Sequence, residues 1–104
     1  MKHGFVKVAA ATPIVKVADV ISNGNRIREL IDRAEDEKVK LITFPELSVT
    51  GYTCGDLFFQ DALIKRAEEE IKLIREHTKG KEVIVVVGFP YYNNGKLYNT
   101  AAVI

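Results

Sequence analysis

The most suggestive residue for chemistry is an acid, Glu46, in the stretch Phe44-Pro45-Glu46-Leu47-Ser48-Val49-Thr50-Gly51-Tyr52. It follows directly on Leu41-Ile42-Thr43-Phe44, which reads as a short buried strand halted by Pro45. In open α/β sheets the carboxyl ends of the strands are where ligand crevices form. A carboxylate fixed there behind a rigid proline, half withdrawn from water, can serve as a general base. Spacing alone leaves a second reading open: the same acid could cap a neighbouring helix or pair with a surface cation.

Other site patterns are missing. The sequence has no G-x-x-x-x-G-K-[ST] phosphate loop, no G-x-G-x-x-G, no H-E-x-x-H, no C-x-x-C and no G-x-S-x-G elbow. No metal site is expected. The two histidines, His3 and His77, sit at the N-terminus and at a helix end. His77 suits the negative end of its helix better than it suits catalysis.

The elements that must position Glu46 follow from an alternation of short apolar runs and helical stripes. Phe5–Ala11 reads as a first strand, stopped by Thr12-Pro13. Asp19 fits the N-cap of a helix reaching about Lys38, with Val20, Ile27, Leu30, Ile31 and Ala34 as its buried stripe and Glu29 paired with Arg33 outside. After the strand at Leu41–Phe44, a loop between Pro45 and Asp56 leads into a second helix from about Leu57 to His77. Ile64, Ala67, Ile71 and Ile74 mark its buried face. Lys65–Glu69, Arg66–Glu70 and Glu68–Lys72 are spaced to pair across its solvent face. Lys79-Gly80 is a stop signal.

Val83–Val87 does not alternate, as expected of a strand covered on both faces. Asn94-Gly95 between Tyr91-Tyr92 and Leu97-Tyr98 signals a tight hairpin, so the last strand runs antiparallel to its predecessor. The expectation is an α/β fold with β-α-β-α-β-β order and a mixed sheet. The sequence stops at Thr100-Ala101-Ala102-Val103-Ile104, inside an apolar strand. That suggests a truncated portion of a longer domain, with open edges prone to self-association.

Composition bounds the rest. A chain of 104 residues makes one small domain and hardly two. It is 47% hydrophobic and 28% charged, with a mean hydropathy of zero, which excludes low-complexity disorder and a collagen-like fibre. No apolar run approaches the roughly 20 residues of a membrane helix, and Met1–Phe5 does not read as a signal peptide. One cysteine excludes an internal disulfide framework and points to a reducing, cytoplasmic setting. Fifteen basic residues against fourteen acidic ones leave a net charge of +1, with no basic block to bind nucleic acid or an anionic membrane.

Phe44-Pro45-Glu46-Leu47 followed by Thr50-Gly51-Tyr52 resembles the first catalytic motif of the nitrilase, or carbon–nitrogen hydrolase, superfamily. Asp19, Asn25 and Ile27 are similar to that family's first helix. Val87-Gly88-Phe89-Pro90 and Leu97-Tyr98-Asn99-Thr100-Ala101 resemble its next two strands. The continuation Tyr52-Thr53-Cys54-Gly55-Asp56-Leu57-Phe58 looks more narrowly like the glutaminase domain of glutamine-dependent NAD synthetases.

The resemblance implies a nitrilase-type α-β-β-α sandwich, of which this chain would supply one sheet and two helices, leaving one sheet face apolar and uncovered. It implies a Glu–Lys–Cys triad in which Glu46 is the general base; the Lys and Cys would lie beyond Ile104. Glutamine and deamido-NAD would be substrates of the parent, which would be homo-oligomeric. ATP and magnesium would belong to a separate ligase domain, with no cofactor in these residues, and the isolated chain would be inactive. Tyr52 would line the glutamine pocket or pack beneath the loop. Asn99 would tie loop backbone together rather than touch substrate. Cys54 lies in the same loop as Glu46 and does not occupy the nucleophile's place, so a structural, semi-buried role is expected. The alternatives are a fragment of a stand-alone amidase and a complete non-catalytic α/β binding module.

Overall fold

The computed structural model describes residues 4–104, with the backbone alone at Asp56 and Phe59; His3 lies outside the described residues. The elements are β1 (Val8–Ala10), α1 (Val20–Asp36), β2 (Leu41–Thr43), α2 (Asp61–His77), β3 (Ile84–Asn93) and β4 (Lys96–Val103), with a 3₁₀ turn at Gly55–Phe59. The four strands form one sheet in the order β1-β2-β3-β4. The first two pairings are parallel and the last antiparallel, so the expected mixed β-α-β-α-β-β arrangement is present.

Asp19 caps α1, its carboxylate accepting from Ser22 N at 3.2 Å. The apolar stripe then falls inward: Ile27 and Ile31 are fully buried, Val20 and Ala34 nearly so. The second helix begins at Asp61 rather than Leu57, because Gln60 is extended (φ −90°, ψ 124°) and separates it from the 3₁₀ turn. Between β3 and β4, Asn94 and Gly95 both have positive φ (51° and 78°), the two-residue geometry that Asn-Gly favours. It sets the register Tyr91↔Tyr98 and Pro90↔Asn99.

Several expectations are corrected. The first strand spans three residues, not seven, because its one partner among the described residues, β2, is itself three residues long. The third continues through Gly88 and Pro90 to Asn93. Proline is tolerated there because β2 ends at Thr43, opposite Val86, so that among the described residues this part of β3 has a strand neighbour on one side only. Arg33 meets Glu37 (3.8 Å) instead of Glu29. Among the described residues, the three pairs expected along α2 do not form. Glu70 is instead 3% exposed and takes Arg28 of α1, because the two helices pack side by side and Gly24 leaves room for its carboxylate. His77, the last residue of α2 as expected, donates from Nε2 to Asp32 Oδ1 of α1 at 2.7 Å and so also joins the two helices.

The run Val83–Val87 is covered on one face only. Right-handed crossovers between strands added in the sequence 1-2-3 place both helices on the same side. Ile42, Val85 and Val87 are therefore buried in the core with Ile27, Ile31, Ala67 and Ile74. On the opposite face Val8 is 61%, Ile84 52% and Val103 72% exposed, as the one-sheet expectation implied.

Candidate active site

The carboxyl end of β2 turns at once into a tight loop. Ser48 N donates to Pro45 O (3.2 Å), and Gly51 N to Leu47 O (2.8 Å). Leu47 takes a left-handed φ of 52° and Gly51 one of 93°, so the chain folds back within seven residues of Pro45. Leu47 is buried and holds this uncommon conformation through packing rather than through glycine's freedom.

What lets the loop lie flat on the sheet is Gly88 of β3. A Cβ there would stand 2.5 Å from Leu47 N and 2.8 Å from Pro45 O. Only a bare backbone admits that approach. Val49 N then donates to Gly88 O at 3.2 Å, and Phe44 N to Val86 O at 2.8 Å. The loop thus crosses over β3 and brings Glu46 to the next strand, where Asn99 Nδ2 donates to Glu46 Oε1 at 2.6 Å.

A second anchor comes from α1. Asn23 is 2% exposed, and its side-chain amide donates to Lys16 O (2.7 Å) and Val49 O (2.9 Å) while its oxygen accepts from Lys16 N (2.8 Å). One side chain so fastens both the segment before α1 and the Glu46 loop to the helix. Ala18 N to Thr50 O (2.7 Å) adds a backbone tie.

Glu46 is therefore exposed to solvent on a rigid support, rather than half-buried as the sequence suggested. Its carboxylate pairs with a side-chain amide, so neither the helix-capping reading nor the surface-cation reading holds among the described residues. Asn99 binds that carboxylate and not loop backbone, which corrects its expected role. Tyr52 is 68% exposed, so it does not pack beneath the loop. Cys54 is buried, its thiol donating to Thr50 O at 3.2 Å: a structural cysteine, more deeply buried than expected. Ser48 Oγ is buried without a hydrogen-bond partner among the described residues.

Beside Asn99 a cavity of about 210 Å³ opens between Leu47, Phe58, Pro90, Leu97 and Tyr98. It shares Phe58 and Leu97 with a larger cavity of about 490 Å³ that runs towards α2. Sequence reasoning missed Asn23; Asn25, noted only for its similarity to the family's first helix, is exposed and accepts from Arg28. The usable signal was a polar residue inside the buried stripe Val20–Ile27, which must satisfy its hydrogen bonds locally. Gly88 was likewise visible as a glycine interrupting an apolar strand.

Comparison with known proteins decides the lineage of this arrangement. The carbon-nitrogen hydrolase model matches residues 7–104. The chain belongs to the carbon–nitrogen hydrolase family. A glutamine-dependent NAD(+) synthetase of Aquifex aeolicus (strain VF5) is 44% identical over 88 residues, covering 85% of this carbon–nitrogen hydrolase chain and 15% of the relative. The crystal structure of a glutamine-dependent NAD(+) synthetase from Cytophaga hutchinsonii superposes with a TM-score of 0.89 at 27% identity, covering 95% of this chain and 17% of that one. An amidase from Nesterenkonia sp. shares the fold, with a TM-score of 0.81 at 17% identity over 99% of this chain and 39% of the amidase. The chain spans about 15% of the length of the curated relatives it matches. Among the described residues no helix is long and apolar enough to cross a membrane.

Proposed function

We propose that this chain is the N-terminal portion of the glutaminase domain of a glutamine-dependent NAD synthetase, and that Glu46 is the general base of its Glu–Lys–Cys triad. The observation that carries the reading is Glu46 itself: an exposed carboxylate at a strand's carboxyl end, seated on Gly88 and held by a neighbouring strand. The 44% identity to the Aquifex synthetase supports the choice of substrate.

In this reading the Lys and Cys of the triad lie in sequence beyond Ile104. Glu46 takes the proton of the cysteine thiol as sulfur attacks the side-chain amide carbon of glutamine. It returns that proton to the departing nitrogen as the carbon–nitrogen bond breaks, so ammonia leaves and a thioester remains. Water, deprotonated by the same carboxylate, then releases glutamate and restores the thiol. Lysine stabilises the oxyanion. Tyr52, free in solvent at the loop's end, is a wall of the glutamine pocket.

Ammonia is then consumed in the amidation of deamido-NAD, a step whose ATP and magnesium belong to residues outside this chain. Among the described residues no cluster of His, Cys, Asp or Glu is arranged to hold a metal ion. A homo-oligomeric, cytoplasmic parent belongs to the same reading. The isolated 104-residue chain, carrying one triad member, is expected to be inactive towards glutamine.

The test is Glu46→Gln in the full-length protein. Synthesis from glutamine is expected to collapse while synthesis from free ammonia continues. Unchanged glutamine use would remove Glu46 from the reaction. Glutamine hydrolysis with no ATP-dependent amidation would favour a stand-alone amidase.

A further inference from the structure

We infer that Asn99 is a positioning residue for Glu46, fixing which carboxylate oxygen receives the proton; the inference rests on Glu46 being the general base. An exposed glutamate side chain has three rotatable bonds, and an unrestrained carboxylate would sample many positions. Asn99 removes that freedom. Its Nδ2 donates to Oε1 at 2.6 Å, and an ionised carboxylate has no hydrogen to give, so the contact is made by the amide nitrogen and not the amide oxygen. Among the described residues Oε2 accepts no hydrogen bond, which leaves it as the oxygen open to a substrate-side proton.

Asn99 is itself exposed, but the strand that carries it is held in place. The residue is paired in register with Pro90, and the next residue, Thr100, donates from Oγ1 to Phe89 O at 2.7 Å. β4 is in turn fixed to β3 over eight register pairs, from Val86↔Val103 to Asn93↔Lys96. The base is thus gripped from a strand two positions away from its own, across the gap that Gly88 closes. The cavity lined by Leu47, Pro90, Leu97 and Tyr98 also reaches Asn99, so the amide stands at the margin of the space beside the base.

The experiment is steady-state glutaminase kinetics of the full-length protein with Asn99→Asp, Asn99→Ala and Asn99→Gln, and with synthesis from free ammonia measured in parallel. Asn99→Asp is nearly isosteric, but it has no donor and places a like charge against Glu46. It is expected to lower kcat roughly 10- to 100-fold with the KM for glutamine within about 2-fold, the signature of a misplaced catalytic group. Asn99→Ala should fall between Asp and wild type. Asn99→Gln keeps the donor on a longer stem and should recover a substantial part of kcat. Ammonia-supported synthesis should stay level in all three.

Wild-type kcat in Asn99→Asp would overturn the inference, as would a rise in KM at constant kcat, which marks a substrate contact. Loss of ammonia-supported synthesis in both the Asp and Gln variants would assign Asn99 to the fold and overturn it too. Glu46→Gln separates this failure from that of the parent reading. If Glu46→Gln is inactive and Asn99→Asp is normal, only the role of Asn99 is wrong. If Glu46→Gln still hydrolyses glutamine, Glu46 is not the base.

Discussion

Glu70 lies 3% exposed between α1 and α2, where the Arg28 guanidinium meets its carboxylate and Gly24 makes room for it. Glu46 stands exposed at the end of β2 and receives one neutral side-chain amide. The first carboxylate is compensated by a full charge and closed to ligands. The second is restrained but left uncompensated, and water or substrate can reach it. Burial with a counter-ion makes a carboxylate structural, because removing its partner strands a charge in a poor solvent. Exposure on a rigid backbone makes one available for proton transfer. Both are Glu, and the difference between them is made by what surrounds each.

The comparison breaks most visibly if the two residues are exchanged in importance. If Glu46 is the general base proposed above, Glu46→Gln should reduce glutamine hydrolysis by the full-length protein on the order of 10³-fold or more, since the members of a triad act as a unit. Its effect on unfolding should stay within about 0.5 kcal/mol, as for an exposed site. Glu70→Ala should do the reverse. Its hydrolase-domain unfolding transition in urea should lose about 3 kcal/mol, the lower end for a broken buried pair because Arg28 keeps some solvent. Per folded molecule, its glutamine turnover should be little changed. A Glu70→Ala protein of wild-type stability would show that the pair contributes no more than a surface contact.

Gly88→Ala sharpens the contrast from the backbone side. A Cβ at 2.5 Å from Leu47 N cannot be accommodated by rotating a side chain, because the obstacle is main chain. The loop must lift, at a cost of about 1–3 kcal/mol. Glu46 must then move away from Asn99, so hydrolysis should fall by more than the loss of folded protein explains. Circular dichroism and turnover on the same sample would separate the two. A variant with normal turnover would mean that the seat on β3 does not position the base.

Much of this was legible in the residues themselves, and the illegible part has a common cause. Element order, the Asp19 cap, the buried stripe of α1, the Asn94-Gly95 turn and the mixed sheet all follow from local periodicity and turn chemistry. Glu46 stood out because Pro45 ends a short apolar strand directly before it. Asn23 and Gly88 carried a local signal, but what each of them meets, like the Glu46–Asn99 contact, is set by tertiary packing that joins segments 26, about 42 and 53 residues apart in sequence. The one-sided cover of Val83–Val87 was equally hidden, since a non-alternating run does not say which face a helix takes. Glu70 misled for the same reason: i,i+4 spacing to Arg66 describes an isolated helix, whereas α1 supplied a better partner.

The smallest expected effect belongs to a third acid, at the opposite end of the parallel strands. Glu82 precedes β3 and receives the Lys40 ammonium at 3.0 Å. That hydrogen bond, with the charge behind it, holds the Glu82 carboxyl below its ordinary range. Because its proton is bound less tightly in the folded chain than in the unfolded one, its contribution to stability is present above the unfolded value of about 4.3 and disappears as pH falls through the lower folded value. Glu82→Gln should therefore differ slightly from wild type at neutral pH and become indistinguishable from it in strong acid. Added salt should shrink the neutral-pH difference, since the pair is open to solvent. Urea unfolding of both proteins across pH, at low and high salt, reads both dependences. A difference that persisted unchanged into strong acid would have to come from packing, which would place Glu82 nearer in kind to Glu70 than its exposure allows.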